Sequence, residues 1–333
     1  MAGRIVSHLR SIDLRGAVVV ITGGSRGLGL EMARVFAAEG GRLVLLARDA
    51  AELDRARNHL ASLRYQVDVR VCDVGDRAQV EATIGEIERS MGRIDILVNN
   101  AGVILSSPWE NLTEHDFAEA LNVHLWGPMH LTRAVAPGMR RRGAGRIVNI
   151  ASIAGLVSIP HLLPYSASKF ALVGFSQGVG AELSRWGIRV TTVCPGLMRT
   201  GSHLNAWFKG RHRAEFALFA ILGALPVSSI DAARAARRIV TACRRGESFL
   251  VLSPHARALR WAAALAPSVV ANALALAARF LPPADGGDGD RRRRGRDCGS
   301  RLAPSILTRL SDKAAVRNLE TPEPRIGDGE SPE

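Results

Sequence analysis

Two groups of residues in this sequence have the types and spacing that chemistry needs. The first is Thr22-Gly23-Gly24-Ser25-Arg26-Gly27-Leu28-Gly29, a glycine-rich loop that follows the apolar run Ala17–Ile21 and opens a helical pattern. Glycines let a backbone turn sharply and approach a pyrophosphate, while a helix N-terminus offers unpaired N–H groups and a positive dipole. Such a loop alone says little, but the strand before it and the helix after it are the context the motif requires. The second group is Tyr165 and Lys169, four residues apart and so on one face of a helical stretch. A free phenol has a pKa of about 10, and an ammonium beside it favours the phenolate and lowers that value.

The end of the second strand bears on which dinucleotide the loop would hold. An acidic side chain there accepts from the adenosine ribose, whereas an arginine accommodates a 2′-phosphate. Here Leu43-Val44-Leu45-Leu46-Ala47 runs into Arg48, and Arg26 in the glycine loop adds a second guanidinium, a pairing that suits a phosphate dianion. NADP(H) is expected over NAD(H). Asp49 follows directly, so a register shift of one residue would reverse the preference. Cys72-Asp73-Val74 ends the third strand, with Asp73 placed to accept from the adenine amino group and Val74 beside it.

These groups need a frame. Short β-rich runs at Ala17–Ile21, Arg42–Leu46, Val67–Val71, Ile94–Val98, Arg146–Ile150, Ile188–Val193 and Ser248–Leu252 alternate with helical patterns at Leu28–Glu39, Ala50–Leu63, Arg77–Met91, Glu114–Arg142, Tyr165–Arg185 and Asp231–Arg245. Seven strands separated by helices predict an α/β fold, a doubly wound parallel sheet covered on both faces, with its ligand crevice at the carboxyl ends of the strands. Residues 1–253 are expected to form this catalytic domain.

Beyond Leu252 the pattern changes. Trp261–Ala278 carries no charged residue; as one helix it would reach about 27 Å at about 1.5 Å per residue, short of a bilayer core of about 30 Å. Pro267 argues against a straight span. With Arg257, Arg260 and Arg279 on its flanks, residues 254–281 read as a helical extension that packs on the domain, on a second subunit of a homodimer, or peripherally on a membrane surface through 257–281. Residues 282–333 read as a largely disordered polar tail, with Pro282–Ser300 a linker too poor in apolar area to offset its ordering entropy. One short helix is expected within Ser305–Leu319.

A length of 333 residues accommodates one such domain plus appendages, and 47% hydrophobic with 23% charged residues excludes wholesale disorder and a multi-span membrane protein. The net charge of +13 lies wholly in residues 1–284, because residues 285–333 hold ten basic and ten acidic side chains. That excess raises nucleic acid as a partner, yet no nucleic-acid reader motif accompanies it. Cys72, Cys194, Cys243 and Cys298 lie far apart without a CxxC pair, which argues against disulfides or a metal site and for a reducing, cytoplasmic setting. The first sixteen residues lack the apolar stretch of a signal peptide.

The motifs TGGSRGLG (22–29), NNAG (99–102), Asn122, Ser152, YSASK (165–169) and PG (195–196), in this order and spacing over residues 16–253, resemble the short-chain dehydrogenase/reductase family. The resemblance implies a Rossmann fold and hydride transfer between a nicotinamide and a ketone, aldehyde or alcohol. It makes Tyr165 the general acid or base, Ser152 the hydroxyl that holds the substrate oxygen, Lys169 the group that lowers the tyrosine pKa and holds the nicotinamide ribose, and Asn122 part of a water relay to the lysine. It gives Gly23, Ser25, Arg26, Gly27, Leu28, Gly29, Asn100, Ala101 and Gly102 to the adenosine and pyrophosphate side. Pro195, Gly196 and Thr200 then border the nicotinamide. The family's substrate lid would be His203–Val227, where Trp207, Phe208, Phe216 and Phe219 with the basic residues Lys209, Arg211, His212 and Arg213 suggest a lipophilic substrate under a basic rim; His161, Leu162 and Leu163 would line the same pocket. The rival reading is a regulatory or interaction protein that binds NADP without turnover, against which the complete Asn–Ser–Tyr–Lys set argues.

Overall fold

The computed structural model describes residues 11–225, 229–300 and 302–321. Up to residue 150 its main elements are β1 (Val18–Thr22), α1 (Gly27–Ala38), β2 (Arg42–Ala47), α2 (Ala50–Ser62), β3 (Val67–Val71), α3 (Arg77–Met91), β4 (Ile96–Asn99), β5 (Leu105–Ser106), α4 (Glu114–Leu121), α5 (Gly127–Arg142) and β6 (Gly145–Ile150). There follow α6 (Leu163–Leu183), β7 (Ile188–Cys194), β8 (Leu197–Arg199), α7 (Ser202–Asn205), β9 (Trp207–Phe208), α8 (His212–Ala224), β10 (Ser229–Asp231), α9 (Ala232–Arg245), β11 (Phe249–Val251), α10 (Pro254–Leu265), α11 (Pro267–Ala278), β12 (Arg293–Arg294) and α12 (Arg309–Arg317).

Seven strands form one parallel sheet in the order β11-β7-β6-β4-β1-β2-β3. Both faces are covered, and the strand sequences explain why: Val19 and Ile21 of β1 enter the cluster beneath α1 and α9, while Val20 enters the one beneath α3 and α5. Leu43 and Leu45 alternate with Val44 and Leu46 in the same way along β2. The chain runs outward from β1 to β3 and returns beside β1 as β4, which opens the crevice of a doubly wound sheet above those two strands.

The expected single helix Glu114–Arg142 is interrupted by a π-turn over Asn122–Trp126. Pro128 has no N–H to give the carbonyl of His124, and Gly127 N–H reaches back to Asn122 O instead. Such single π-turns recur at functional sites.

Past the domain, α10 and α11 meet at Pro267 with a bend of 118°, and no single helix among the described residues is long and apolar enough to cross a membrane. The alternative of packing on its own domain is corrected for α11: no residue of that helix is buried, and Trp261, Leu265, Val269 and Phe280 are exposed. Nor do residues 282–300 run as a linker. They carry two 3₁₀ turns and β12, which pairs with β9. What orders them is polar rather than apolar: Arg292 pairs with the buried Asp116 at 2.9 Å and also with Glu119, and Asn111 Nδ2 donates to Asp290 at 2.7 Å. The short helix expected within 305–319 is α12. Residues 322–333 of the expected tail lie outside the described residues.

Candidate active site

The carboxyl ends of β1, β4, β6 and β7 deliver the motif residues to one crevice. Gly29 must be glycine, since a Cβ there would stand 2.1 Å from Gly23 O across the turn. Asn100 closes the loop from the other side: its side chain donates to Thr22 O at 3.0 Å and Gly23 O at 3.1 Å, while Thr22 Oγ1 accepts from the N–H groups of Asn100 and Ala101. Asn99 and Asn149 tie β4 to β6 at 2.8 Å. Gly102 passes over His124, whose Nε2 lies 3.1 Å from where a Cβ would be. Ser25 and Leu28 are buried within the cradle. This bare backbone at the start of α1, where N–H groups lack partners within the helix, fits the close approach of a dinucleotide pyrophosphate.

At the adenosine end, Asp49 caps α2 by accepting from Glu52 N–H at 3.0 Å. Arg48 at the end of β2 is more than half exposed and faces Asp73 at 4.0 Å. Arg26 pairs with Glu52, which also accepts from Ser25 Oγ at 3.1 Å. Asp73 is partly committed within its own turn, accepting from Gly75 N–H at 2.9 Å, and Val74 is buried against Gly127. A residue the sequence did not point to joins this end. Arg294 from β12 lies over Trp207 at 4.1 Å; burial first, then Arg296, Arg26 and Arg48, hold its guanidinium below the usual value.

At the other end, Ser152 closes β6 and caps a 3₁₀ turn by accepting from Ala154 N–H. Its hydroxyl lies close enough to Tyr165 to favour the phenolate. Lys169 is buried and donates to Ile150 O at 2.8 Å, with its ammonium 5.6 Å from the centre of the tyrosine ring. Burial raises the pKa of Tyr165, the nearby Ser152 hydroxyl opposes that only in part, and burial brings Lys169 itself down to about 7, so in the chain without nucleotide Lys169 is not what sets the tyrosine. Pro195 O accepts from Ile153 N–H at 2.7 Å, Gly196 packs against Ser253, and Thr200 is buried with its hydroxyl accepting from Ser202 N–H. Cys194 is a buried thiol pushed up to about 12 by burial, which leaves no thiolate for nucleophilic work.

Asn122 opens the π-turn, and its amide lies against Gly75 rather than on Lys169. Two residues on, His124 was passed over in the sequence, and it links this turn to the tyrosine. Nε2 accepts from Val103 N–H at 3.1 Å, so the proton sits on Nδ1 and is given to Ser168 Oγ at 2.8 Å; Ser168 Oγ in turn donates to Tyr165 O. The two rings meet edge to face at 5.4 Å. Burial, and then Lys169, hold His124 well below its usual pKa, so it stays neutral. The signal available in the sequence was a histidine within an otherwise apolar helical turn.

The lid differs from its expectation. Lys209 is buried on Asp116 at 2.7 Å, and His212 is buried with Nε2 donating to Arg291 O at 2.7 Å, so neither forms a basic rim. Phe208 and Phe216 pack on each other and on Cys298 and Ala303. His161, half-buried and at φ +63°, pairs with Glu215 at 2.7 Å. Pro226 and Val227, at the lid's end, lie outside the described residues.

The family model of short chain dehydrogenases matches residues 17–207. A putative ketoacyl reductase of Streptomyces coelicolor is 39% identical over 185 residues, covering 55% of this chain and 71% of its own. Among solved structures, a gluconate 5-dehydrogenase from Burkholderia cenocepacia in complex with NADP and tartrate is 28% identical with a TM-score of 0.65, over 74% of this chain and 98% of that one. An NAD+-bound xylitol dehydrogenase is 25% identical with the same TM-score, over 72% and 99%. The crevice, the glycine cradle and the matched length together make this chain a member of the short-chain dehydrogenase/reductase family, an oxidoreductase with a Rossmann fold.

Proposed function

We propose that this protein is an NADP(H)-dependent oxidoreductase that interconverts a ketone or aldehyde with the corresponding alcohol on a lipophilic small molecule. The observation that carries the reading is the buried Lys169, donating to Ile150 O with its ammonium 5.6 Å from the Tyr165 ring, with Ser152 at the end of β6 beside them. When bound, the nicotinamide supplies or accepts the hydride. Ser152 holds the substrate oxygen, and Tyr165 gives it a proton in reduction or removes one in oxidation. A Lys169 ammonium poised near neutrality holds the nicotinamide ribose, and Asn122 serves the relay that replenishes the proton. Gly23, Gly27, Leu28 and Gly29 with Asn100, Ala101 and Gly102 cradle the pyrophosphate and adenosine, Asp73 and Val74 border the adenine, and Pro195, Gly196 and Thr200 border the nicotinamide.

NADP(H) is favoured because Asp49 is spent on the helix cap while Arg48, more than half exposed and held only by a 4.0 Å ion pair with Asp73, can turn toward a 2′-phosphate. Titration with NADPH and with NADH, followed by nicotinamide fluorescence, tests this. Arg48→Asp is expected to weaken NADPH at least about tenfold and NADH little, since it removes one charge-assisted phosphate contact; equal loss for both nucleotides would sink the preference for NADP(H).

We place the enzyme in a reducing compartment, on its four free buried cysteines, and at an anionic membrane surface through α10 and α11. The support is the exposed apolar bend with Arg257, Arg260 and Arg279 around it. Co-sedimentation with phosphatidylserine vesicles is expected for the wild type and lost in Leu265→Asp/Val269→Asp. Unchanged sedimentation would remove the bend as the anchor, and a loss of dimer instead would make it a subunit contact.

A further inference from the structure

The nucleotide cradle has a second ligand, and it belongs to the same chain. Gly27 N–H, in the first turn of α1, donates to Asn318 O at 3.0 Å. Gly201 N–H, in the loop after β8, donates to Glu320 Oε2 at 2.5 Å, and Asn205 Nδ2 donates to Glu320 O at 3.1 Å. The approach needs both glycines: a Cβ on Gly27 would lie 3.1 Å from Glu320 Oε1, and one on Gly201 would lie 2.5 Å from the Glu320 Cβ. Behind these contacts α12 is anchored on α1 and α9. Arg34 donates to Arg317 O at 2.8 Å and to Asn318 Oδ1 at 3.3 Å. Arg317 pairs with Glu31 at 3.3 Å and Asp231 at 3.2 Å.

Glu320 is buried without a close cation. Burial pushes its carboxyl up to about 7; the Gly201 N–H and the charge of Arg26 offset this in part, and Glu52 adds to it. Holding a carboxyl group there without a cation is unfavourable, and that cost opposes the contacts that anchor α12. The N–H groups at the start of α1 are those a pyrophosphate would accept from, and two acceptors cannot share them.

We propose that residues 309–320 are an intramolecular ligand of the dinucleotide cradle, and that this segment, through Asn318 O and the Glu320 carboxyl group, and the nucleotide exclude one another. The inference rests on the reading of the cradle as the NADP(H) site. A site blocked in a fraction of molecules shows an affinity reduced by the fraction that is open. Blockage of nine molecules in ten would weaken NADPH about tenfold.

The test is NADPH titration of the full chain and of two variants outside the catalytic and nucleotide-binding residues. Glu320→Ala removes the carboxylate from the cradle, and Arg317→Ala releases α12 from Glu31 and Asp231 while making the protein less positive. Both are expected to tighten NADPH at least fivefold. In the wild type, saturating NADPH is expected to raise amide exchange across 309–320, a readout that does not depend on either variant folding. Tightening in Glu320→Ala but weakening in Arg317→Ala would be a charge effect and would overturn the proposal. Unchanged affinity in both variants, or exchange across 309–320 that stays the same or falls, would overturn it while leaving the NADP(H) reading intact. Absence of NADPH binding in the wild type and both variants would overturn that reading and this proposal together.

Discussion

Tyr165→Phe is expected to lower kcat by about 10²–10⁴-fold, the range that one positioned general acid or base supplies, while NADPH affinity stays within about threefold of wild type. The substitution removes one hydroxyl and little else. The ring still meets His124 edge to face, and Ser168 still bonds the tyrosine backbone carbonyl. Among the described residues, no hydrogen bond of the tyrosine hydroxyl anchors the fold, and a neutral one would be worth only about 1 kcal/mol. The loss therefore belongs to chemistry rather than folding, and a thermal melt run beside the kinetics separates the two. Turnover within tenfold of wild type, on a substrate the wild type accepts, would remove Tyr165 from the proton transfer.

Lys209→Met is expected to destabilise the protein by about 3–5 kcal/mol, the range for breaking a buried ion pair from one side. Asp116 has a fully buried side chain that accepts from Lys209 Nζ at 2.7 Å, from Thr113 N–H at 2.8 Å and from Thr113 Oγ1 at 2.9 Å, and it pairs with Arg292 at 2.9 Å. Burial alone would raise this carboxyl, but the bonds from Lys209 and Thr113 outweigh it and hold Asp116 below its ordinary value. A carboxylate depressed in the folded state stabilises above its unfolded pKa, and the stabilisation fades only as acid protonates it. Methionine keeps the lysine stem and removes the charge, leaving the carboxylate with Arg292 as its cation and the two Thr113 bonds. Urea unfolding at neutral pH measures the loss, and exchange across residues 286–300 reports whether Arg292 lets go as well. A change under about 1 kcal/mol, the size of a surface pair, would show that the site is wetter than its packing indicates.

The legible part of this molecule was the part whose physics is local. Alternating apolar runs such as Leu43–Leu46 must be buried on both faces, so seven such runs imply a covered parallel sheet. Thr22–Gly29 is recognisable because a strand, a turn and a helix start fall within one short stretch. Tyr165 and Lys169 lie on one turn of α6. The illegible part depends on partners far along the chain. Arg292 falls in the stretch that reads as a linker until Asp116, 176 residues earlier, is found buried beneath it. Lys209 reads as a basic rim for the same reason. His124 acquires its role only when Val103 and Ser168 close around it. The π-turn required noticing that Pro128 withholds the donor that would have kept one helix continuous.

The contact between Gly201 and Glu320 spans 119 residues, and that separation is also an interval of time. At about 5–20 residues per second, the ribosome adds the end of this segment roughly 6–24 s after the loop it touches. By the end of that interval every strand of the sheet, β11 included, has been made before the competing carboxylate exists. If the segment and the nucleotide exclude one another as proposed, a dinucleotide in the surrounding solution would meet the nascent cradle before its competitor, a start that a purified, nucleotide-stripped chain would not have.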